Sequence, residues 1–195
     1  MCTKEKVMEY FDERAAHWDE RMIRDNNVID QILDNARVCE GKDILDVACG
    51  TGVLIPDYLK RNVRTVTGID LSSKMIKAAS EKFKRGNVSF VCGDVEQVQF
   101  DKKFDCIVMY NAFPHFFEPE KVIKILISHL KDDGILTIAH GMSRQQINCH
   151  HSESAKEVSV DLIGVEELAK MFEPELCVKL KISDDRMYQV VGMKE

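Results

Sequence analysis

The chain has 195 residues, of which 45% are hydrophobic and 31% charged, a composition typical of a soluble globular protein with a substantial core. The formal net charge of −6 disfavours a general nucleic-acid binder, and no apolar run is long enough to span a bilayer. Its seven cysteines form no CxxC pair and its N-terminus lacks a secretory signal, so we predict a cytoplasmic protein with reduced thiols.

The first 36 residues favour two amphipathic helices. Apolar residues recur at steps of three and four, which places them on one face of a helix. The first stripe consists of Val7, Tyr10, Phe11, Ala15 and Trp18, and the second of Val28, Ile29, Ile32, Leu33 and Ala36. We expect both helices to pack with these apolar faces against the part of the chain that follows Gly41.

Residues 42–52 combine a short apolar run with a turn of small residues. The run ends at Asp46 and Val47, as in a buried parallel strand, and a helix is predicted from Val53 to Lys60. Small residues between a strand and a helix let the backbone approach a ligand, which the free N–H groups of the helix would face. The spacing of Gly50 and Gly52 matches neither the dinucleotide fingerprint nor a P-loop.

A second strand, over residues 63–70, ends in an acidic residue. Asp70 follows Asp46 by 24 positions, and an acid at this point of a doubly wound sheet is placed to accept ribose hydroxyl hydrogens. Ser72 then has the character of a helix N-cap. The predicted helix carries Met75, Ile76, Ala79 and Phe83 on its inner face.

The rest of the chain continues the alternation of strands and helices. Strands are predicted at residues 88–92 and 104–110, a helix at 118–130, a turn at Asp133-Gly134 and a strand at 135–140. Residues 176–182 and 187–193 favour an antiparallel hairpin. This order predicts an α/β fold in one domain, residues 1–195.

Four stretches together resemble the class I S-adenosylmethionine (SAM)-dependent methyltransferases. They are Tyr-Phe-Asp with Trp-Asp (residues 10–19), Leu-Asp-Val-Ala-Cys-Gly-Thr-Gly (45–52), Gly-Ile-Asp-Leu-Ser-Ser-Lys-Met-Ile (68–76) and Gly-Asp-Val (93–95). The resemblance covers about residues 10–193. It implies a three-layer sandwich whose seven-stranded, mostly parallel sheet ends in an antiparallel hairpin. Residues 1–40 would form an N-terminal lid over an α/β core of residues 41–195.

The resemblance also implies a set of ligand-binding residues. Asp46 would approach the ammonium group of SAM, Asp70 the ribose, and Asp94 the adenine. Ala48 occupies a position where the family often has glycine. The implied cofactor residues are Asp46, Ala48, Gly50, Thr51, Gly52, Asp70, Leu71, Met75, Gly93, Asp94, Val95 and Asn111. The implied lid and substrate residues are Tyr10, His17, Trp18, His150 and His151.

Five of the six histidines follow residue 100. His115 and His140 follow predicted strands, so both should lie at the carboxyl edge of the sheet, where ligands bind in open α/β folds. One interpretation makes either of them a general base or an orienting donor for the methyl acceptor. A second makes the histidines ordinary loop residues. A third is a metal site of His115, His140 and one of His150 or His151, although the spacing matches no zinc pattern.

The leading functional hypothesis is transfer of a methyl group from SAM to a small molecule. A quinone C-methyltransferase is the first alternative, and a SAM-binding sensor without turnover is an alternative of another class. The glycine spacing disfavours a nicotinamide-dependent oxidoreductase. We expect no nucleic-acid or membrane partner and no bound metal, and we leave monomer and homodimer both open.

Overall fold

In the computed structural model, which describes residues 3–195, seven strands form a single sheet in the order β3-β2-β1-β4-β5-β7-β6. Neighbouring strands from β3 to β5 run parallel, and β7 pairs antiparallel with both β5 and β6. The strands are β1 Asp43–Val47, β2 Thr65–Asp70, β3 Val88–Cys92, β4 Phe104–Tyr110, β5 Leu130–His140, β6 Cys177–Ser183 and β7 Tyr188–Met193. The predicted sheet and its terminal hairpin are confirmed.

Seven α-helices accompany the sheet in the described part of the chain. They are α1 Lys4–Arg14, α2 Asn26–Asn35, α3 Ile55–Lys60, α4 Ser73–Lys82, α5 Pro119–Ser128, α6 Arg144–Ser154 and α7 Val165–Phe172. Short 3-10 turns occupy Ala15–His17, Asp19–Arg21 and Phe113–His115. The predicted cap of α4 is present, since the Ser72 hydroxyl accepts a hydrogen bond from the Met75 N–H at 3.1 Å.

Side chains of the central strands alternate between two cores, one on each face of the sheet. On one face, Leu45 and Ile107 pack in a cluster that includes residues of α5 and α7. On the other, Ile44 and Cys106 pack in a cluster that includes residues of α2 and α3. Burial on both faces explains why these strands appear in the sequence as continuous apolar runs.

The fifth strand differs from its prediction. A turn was expected at Asp133-Gly134, but β5 already begins at Leu130, which pairs with Phe104 of β4. The register then shifts, so that Ile135 pairs with Cys106, and Asp133 adopts a positive φ of 60°. The predicted turn is therefore an irregularity within one strand, because pairing with β4 continues on both sides of it.

Helices α6 and α7 were not predicted. In α6 the Ser143 hydroxyl accepts from the Gln146 N–H while the Gln146 side chain accepts from the Ser143 N–H, which is a capping box. The sequence pattern for this box is present, but α6 contains a single fully buried apolar residue, Ile147, among its described side chains. Such a polar helix gives no apolar stripe to detect.

The strand order reverses between β1 and β4, and ligands in such sheets bind beyond the carboxyl ends of the strands at this point. The loops that follow β1, β2, β3, β4 and β5 meet there. Among residues 3–195, none of the helices has the length and apolar character needed to cross a bilayer.

Candidate functional site

A cavity of about 750 Å³ lies at the carboxyl ends of β1 to β5, under the first helix. This volume lies within the range of small-molecule sites, about 300–1,000 Å³. One end is lined by the loops after β1, β2 and β3, and the other by the loops after β4 and β5 together with α6. The predicted N-terminal lid contributes residues of α1 and of the turns after it.

The loop after β1 turns sharply through three left-handed residues. Ala48, Gly50 and Gly52 have φ values of 54°, 56° and 84°. This conformation is easy for glycine but costs alanine roughly 1–2 kcal/mol, so Ala48 holds the turn under strain. At Gly52 an added Cβ would lie 2.7 Å from the Phe83 ring, which requires glycine on packing grounds as well.

Asp46 is the buried carboxylate of this loop. It lines the cavity, and the residue is only 2% exposed to solvent. Burial raises the pKa of Asp46 to about 8, partly offset by the Tyr58 hydroxyl and reinforced by the nearby Asp70 carboxylate. A cation placed in the cavity would favour the ionised form, as expected of a group that meets an ammonium.

Asp70 is held by backbone donors on both oxygens. Its Oδ2 accepts from the Gly50 N–H at 2.8 Å and its Oδ1 from the Ser72 N–H at 2.9 Å. A carboxylate oxygen has two lone pairs, so each oxygen keeps acceptor capacity for a hydroxyl donor in the cavity. This geometry fits the pair of hydroxyls on a ribose.

We expect Asp70→Ala to weaken SAM binding by about tenfold or more, because charge-assisted hydrogen bonds are worth about 1.5–3 kcal/mol. The measurement is titration calorimetry with SAM. Asp101→Ala, which removes an exposed carboxylate outside the cavity lining, is the control. Equal affinities of the two variants would refute the assignment of Asp70 to the ribose.

Asp94 follows β3 at the far end of the cavity. Its Oδ1 accepts from the Glu96 N–H at 3.0 Å, and its Oδ2 accepts from Lys4 Nζ at 2.7 Å. Lys4 also forms an ion pair with Glu96. The Lys4 contact was not predicted, because it joins residues 90 positions apart.

Most of the predicted site residues line one cavity. Those in its lining are Tyr10, His17, Trp18, Asp46, Ala48, Gly50, Asp70, Leu71, Gly93, Asp94, Val95, Asn111, His115, His140, His150 and His151. Thr51, Gly52 and Met75 are outside it. The Thr51 hydroxyl donates instead to Asp19 at 2.5 Å, and Met75 is buried in α4. Their positions indicate structural roles.

His115 has a defined tautomer. Its Nδ1 lies 2.8 Å from the Val158 carbonyl oxygen, which can only accept, so Nδ1 carries the hydrogen and Nε2 keeps a lone pair. Burial lowers the pKa of His115. The imidazole is therefore neutral at pH 7, and its Nε2 is available as a proton acceptor.

His140 and His151 complete the imidazole group at this end. The His140 Nε2 is buried without a hydrogen-bond partner, and so is the His151 Nδ1. The His115 and His151 ring centroids are 5.3 Å apart. Burial lowers the pKa of His140 to about 3 and that of His151 to about 4, with the neighbouring imidazoles adding to both shifts.

The structure does not support the metal interpretation. Among residues 3–195, no group of three or more His, Cys, Asp or Glu side chains is arranged to hold a metal ion. His150 and His151 lie in α6, where consecutive side chains point in different directions. His129 is the C-cap of α5 and packs against Phe100 outside the cavity.

Three polar anchors hold the N-terminal lid on the loops around the cavity. Lys4 contacts Asp94 after β3. Asp12 accepts from the Ser72 hydroxyl at 2.5 Å and the Lys74 N–H at 3.1 Å after β2. Asp19 contacts Thr51 after β1 and also pairs with Lys82 Nζ at 2.6 Å. Each anchor reaches a different predicted cofactor loop.

We expect S-adenosylhomocysteine (SAH) to slow hydrogen exchange in residues 4–21, because the ligand would join the loops to which the lid is anchored. Asp12→Ala should speed exchange there by removing one anchor. Glu13→Ala is the control, since Glu13 is exposed and forms an ion pair with Arg14. If neither SAH nor Asp12→Ala changes the exchange rate of these residues, the lid assignment is contradicted. The readout is mass spectrometry of lid peptides.

Comparison with known proteins places this site in a family. Residues 44–134 match the model of a methyltransferase domain, and this segment runs from β1 into β5. The match confirms the predicted resemblance to the class I SAM-dependent methyltransferases and supports the predicted enzyme class and cofactor. Asp46, Gly50 and Asp70, which were predicted to contact SAM, all line the cavity.

Two curated relatives extend the match. A malonyl-[acyl-carrier protein] O-methyltransferase of Acetivibrio thermocellus is 28% identical over 168 residues, covering 83% of this chain and 59% of the relative. A ubiquinone biosynthesis O-methyltransferase of Coxiella burnetii is 32% identical over 100 residues, covering 50% and 42%. The methyltransferase described here thus matches about half the length of these relatives.

Solved structures confirm the fold. Magnesium protoporphyrin IX methyltransferase from Synechocystis PCC 6803, solved with SAH, superposes with a TM-score of 0.74 at 15% identity. The match covers 99% of this methyltransferase and 100% of the other chain. At this identity the likeness concerns architecture alone.

Proposed function

We propose that this methyltransferase transfers a methyl group from SAM to a small-molecule acceptor. The observation that carries the proposal is a single cavity that joins Asp46 and Asp70 at one end to His115 and His140 at the other. In this proposal residues 1–40 act as the lid and residues 41–195 as the catalytic core. The cytoplasmic location stays a prediction.

SAM, when bound, supplies an electrophilic methyl group on a sulfonium sulfur. Transfer of that methyl group leaves SAH, whose sulfur is an uncharged thioether. The chain has to position the acceptor in line with that methyl group and to exclude water. Asp46 would orient the ammonium group and Asp70 the ribose. His115 Nε2 would receive the acceptor's hydrogen bond and, where the acceptor is protonated, its proton. His140, whose pKa of about 3 makes it a weak base, would orient the acceptor through a hydrogen bond.

The relatives favour an oxygen acceptor over a carbon acceptor. Both are named as O-methyltransferases, acting on a malonyl-[acyl-carrier protein] and in ubiquinone biosynthesis. The quinone C-methyltransferase alternative has less support for this reason. The described residues give no support to a metal sensor without turnover, because their side chains form no group that could hold a metal ion.

The test measures SAH formed from SAM by mass spectrometry, with and without a panel of small acceptors. We expect acceptor-dependent SAH and a methylated product. Calorimetry with SAM on the same preparation separates the alternatives. Binding of SAM without SAH formation across oxygen, sulfur, nitrogen and carbon acceptors would favour the sensor, and absence of binding would refute the proposal.

A further inference from the structure

The loops after β4 and β5 and helix α6 contribute no fully charged side chain to the cavity lining in the described part of the chain. Among the described residues, no Asp, Glu, Lys or Arg between positions 110 and 155 lines the cavity. The polar side chains there come from tyrosine, asparagine and histidine. The lining that defines this end includes Tyr110, Asn111, His115, Phe116, His140 and Met142.

The charged residues that do line the cavity lie on α1 or at the carboxyl ends of β1, β2 and β3. Asp46, Asp70 and Asp94 follow β1, β2 and β3, at the cofactor end, and Lys4 is paired with Asp94. Glu13 and Arg14, on α1, belong to the lid and pair with each other at 3.6 Å. An acceptor at the imidazole end thus meets no permanent counter-charge from the loops after β4 and β5.

This distribution discriminates between classes of acceptor. Burying an ammonium or a carboxylate without a partner of opposite charge is costly, so cationic amines and carboxylic acids are poorly accommodated. A neutral molecule that donates one hydrogen bond suits the site better. The lone pair of His115 Nε2 and the unpartnered His140 Nε2, on a residue 2% exposed, provide polar contacts for such a group.

We propose that the acceptor is a small, largely apolar molecule whose methylated atom carries a weakly acidic hydrogen, as in a phenol or a thiol. The inference rests on the proposed function and narrows its substrate class. The hydrogen leaves as a proton to His115 Nε2, and its bonding electron pair stays on the oxygen or sulfur. That pair forms the new bond to the methyl carbon, while the old carbon–sulfur pair remains with SAH.

Phenol and benzyl mercaptan suit the cavity because their rings could pack against its aromatic lining, where Phe11 and His115 lie with ring centroids 5.0 Å apart. The thiol of cysteine has an ordinary pKa of about 8.5 and the phenol of tyrosine one of about 10. Acceptors with similar groups would therefore enter the cavity mostly protonated at neutral pH. A proton acceptor is then useful, which accounts for the neutral imidazoles.

The experiment compares four probes that share one benzene ring: phenol, benzyl mercaptan, benzylamine and benzoate. Calorimetry measures their binding to the protein–SAH complex, and mass spectrometry measures methylation with SAM. We expect phenol or benzyl mercaptan to bind at least about tenfold more tightly than benzylamine and benzoate. His115→Phe, which keeps a ring beside Phe11, should reduce that preference, whereas His129→Phe outside the cavity should not.

Each outcome separates this inference from the proposed function. If SAH itself fails to bind, the proposed function fails. If SAH binds but benzylamine or benzoate is preferred, or if none of the four probes binds, the substrate class is wrong while the SAM site stands. A preference for phenol over benzyl mercaptan, or the reverse, identifies the accepting atom.

Discussion

His115→Ala is expected to lower methyl-transfer turnover by about a hundredfold or more, since assistance from a general base is typically of that size. The variant removes the Nε2 acceptor, whose lone pair is defined by the Nδ1–H bond to the Val158 carbonyl. Binding of SAM should be unchanged, because the cofactor loops follow β1 to β3. Because burial lowers the pKa of His115, turnover should fall in more acidic buffer than it would with an ordinary histidine as the base.

His140→Ala should show a similar loss if the two imidazoles act together on one acceptor. His129→Ala is the matched control, because His129 is also a buried histidine but packs on Phe100, away from the cavity. The measurement is single-turnover SAH formation with the true acceptor, alongside SAM calorimetry. Full turnover in both cavity variants would show that positioning alone carries the catalysis.

Asp46→Asn is expected to change the pH dependence of stability. In the unfolded chain this carboxyl ionises near pH 3.9, at about its ordinary value, whereas its pKa is about 8 in the fold. Between these values the folded state binds the proton more tightly, so the parent loses stability as pH rises. From pH 5 to pH 7 the asparagine variant should gain about 2–3 kcal/mol in unfolding free energy relative to the parent.

Urea unfolding at the two pH values, without SAM, measures this gain. Asp105→Asn is a control of opposite sign, because the Asp43 N–H and Lys131 hold the pKa of Asp105 below its ordinary value despite partial burial. Its stability relative to the parent should not rise between pH 5 and pH 7. The same trend in both variants would contradict a proton held by Asp46. The asparagine variant should also bind SAM more weakly, since it cannot face an ammonium with a negative charge.

The sheet was predictable because its central strands are buried on both faces. Burial makes β1 and β4 largely apolar runs, and the predicted bounds of β3 and β4 agree with the structure. Asp70, the acid at the end of β2, was also informative, because a charged side chain at that depth needs a ligand or a hydrogen-bond donor. The loop after β1 was recognisable from its glycines, which its left-handed turn requires.

The acceptor end was less predictable. The histidines could be assigned to the carboxyl edge from the strand order alone, but the partner that defines the His115 tautomer is a backbone carbonyl 43 residues away. A carbonyl belongs to every residue, so no side-chain pattern reveals it. Helix α6 was not predicted for a related reason: its side chains are mostly polar, and its position depends on tertiary packing.

The anchors of the N-terminal lid have a kinetic consequence. Lys4, Asp12 and Asp19 each reach a loop that the resemblance assigns to a different part of the cofactor, so one closed arrangement spans the whole ligand. SAH would occupy the same loops as SAM, and its departure requires these contacts to break. We infer that lid opening and product departure, rather than the chemical step, set the steady-state rate, as in many enzymes with mobile covers. A first turnover would then outpace those that follow it.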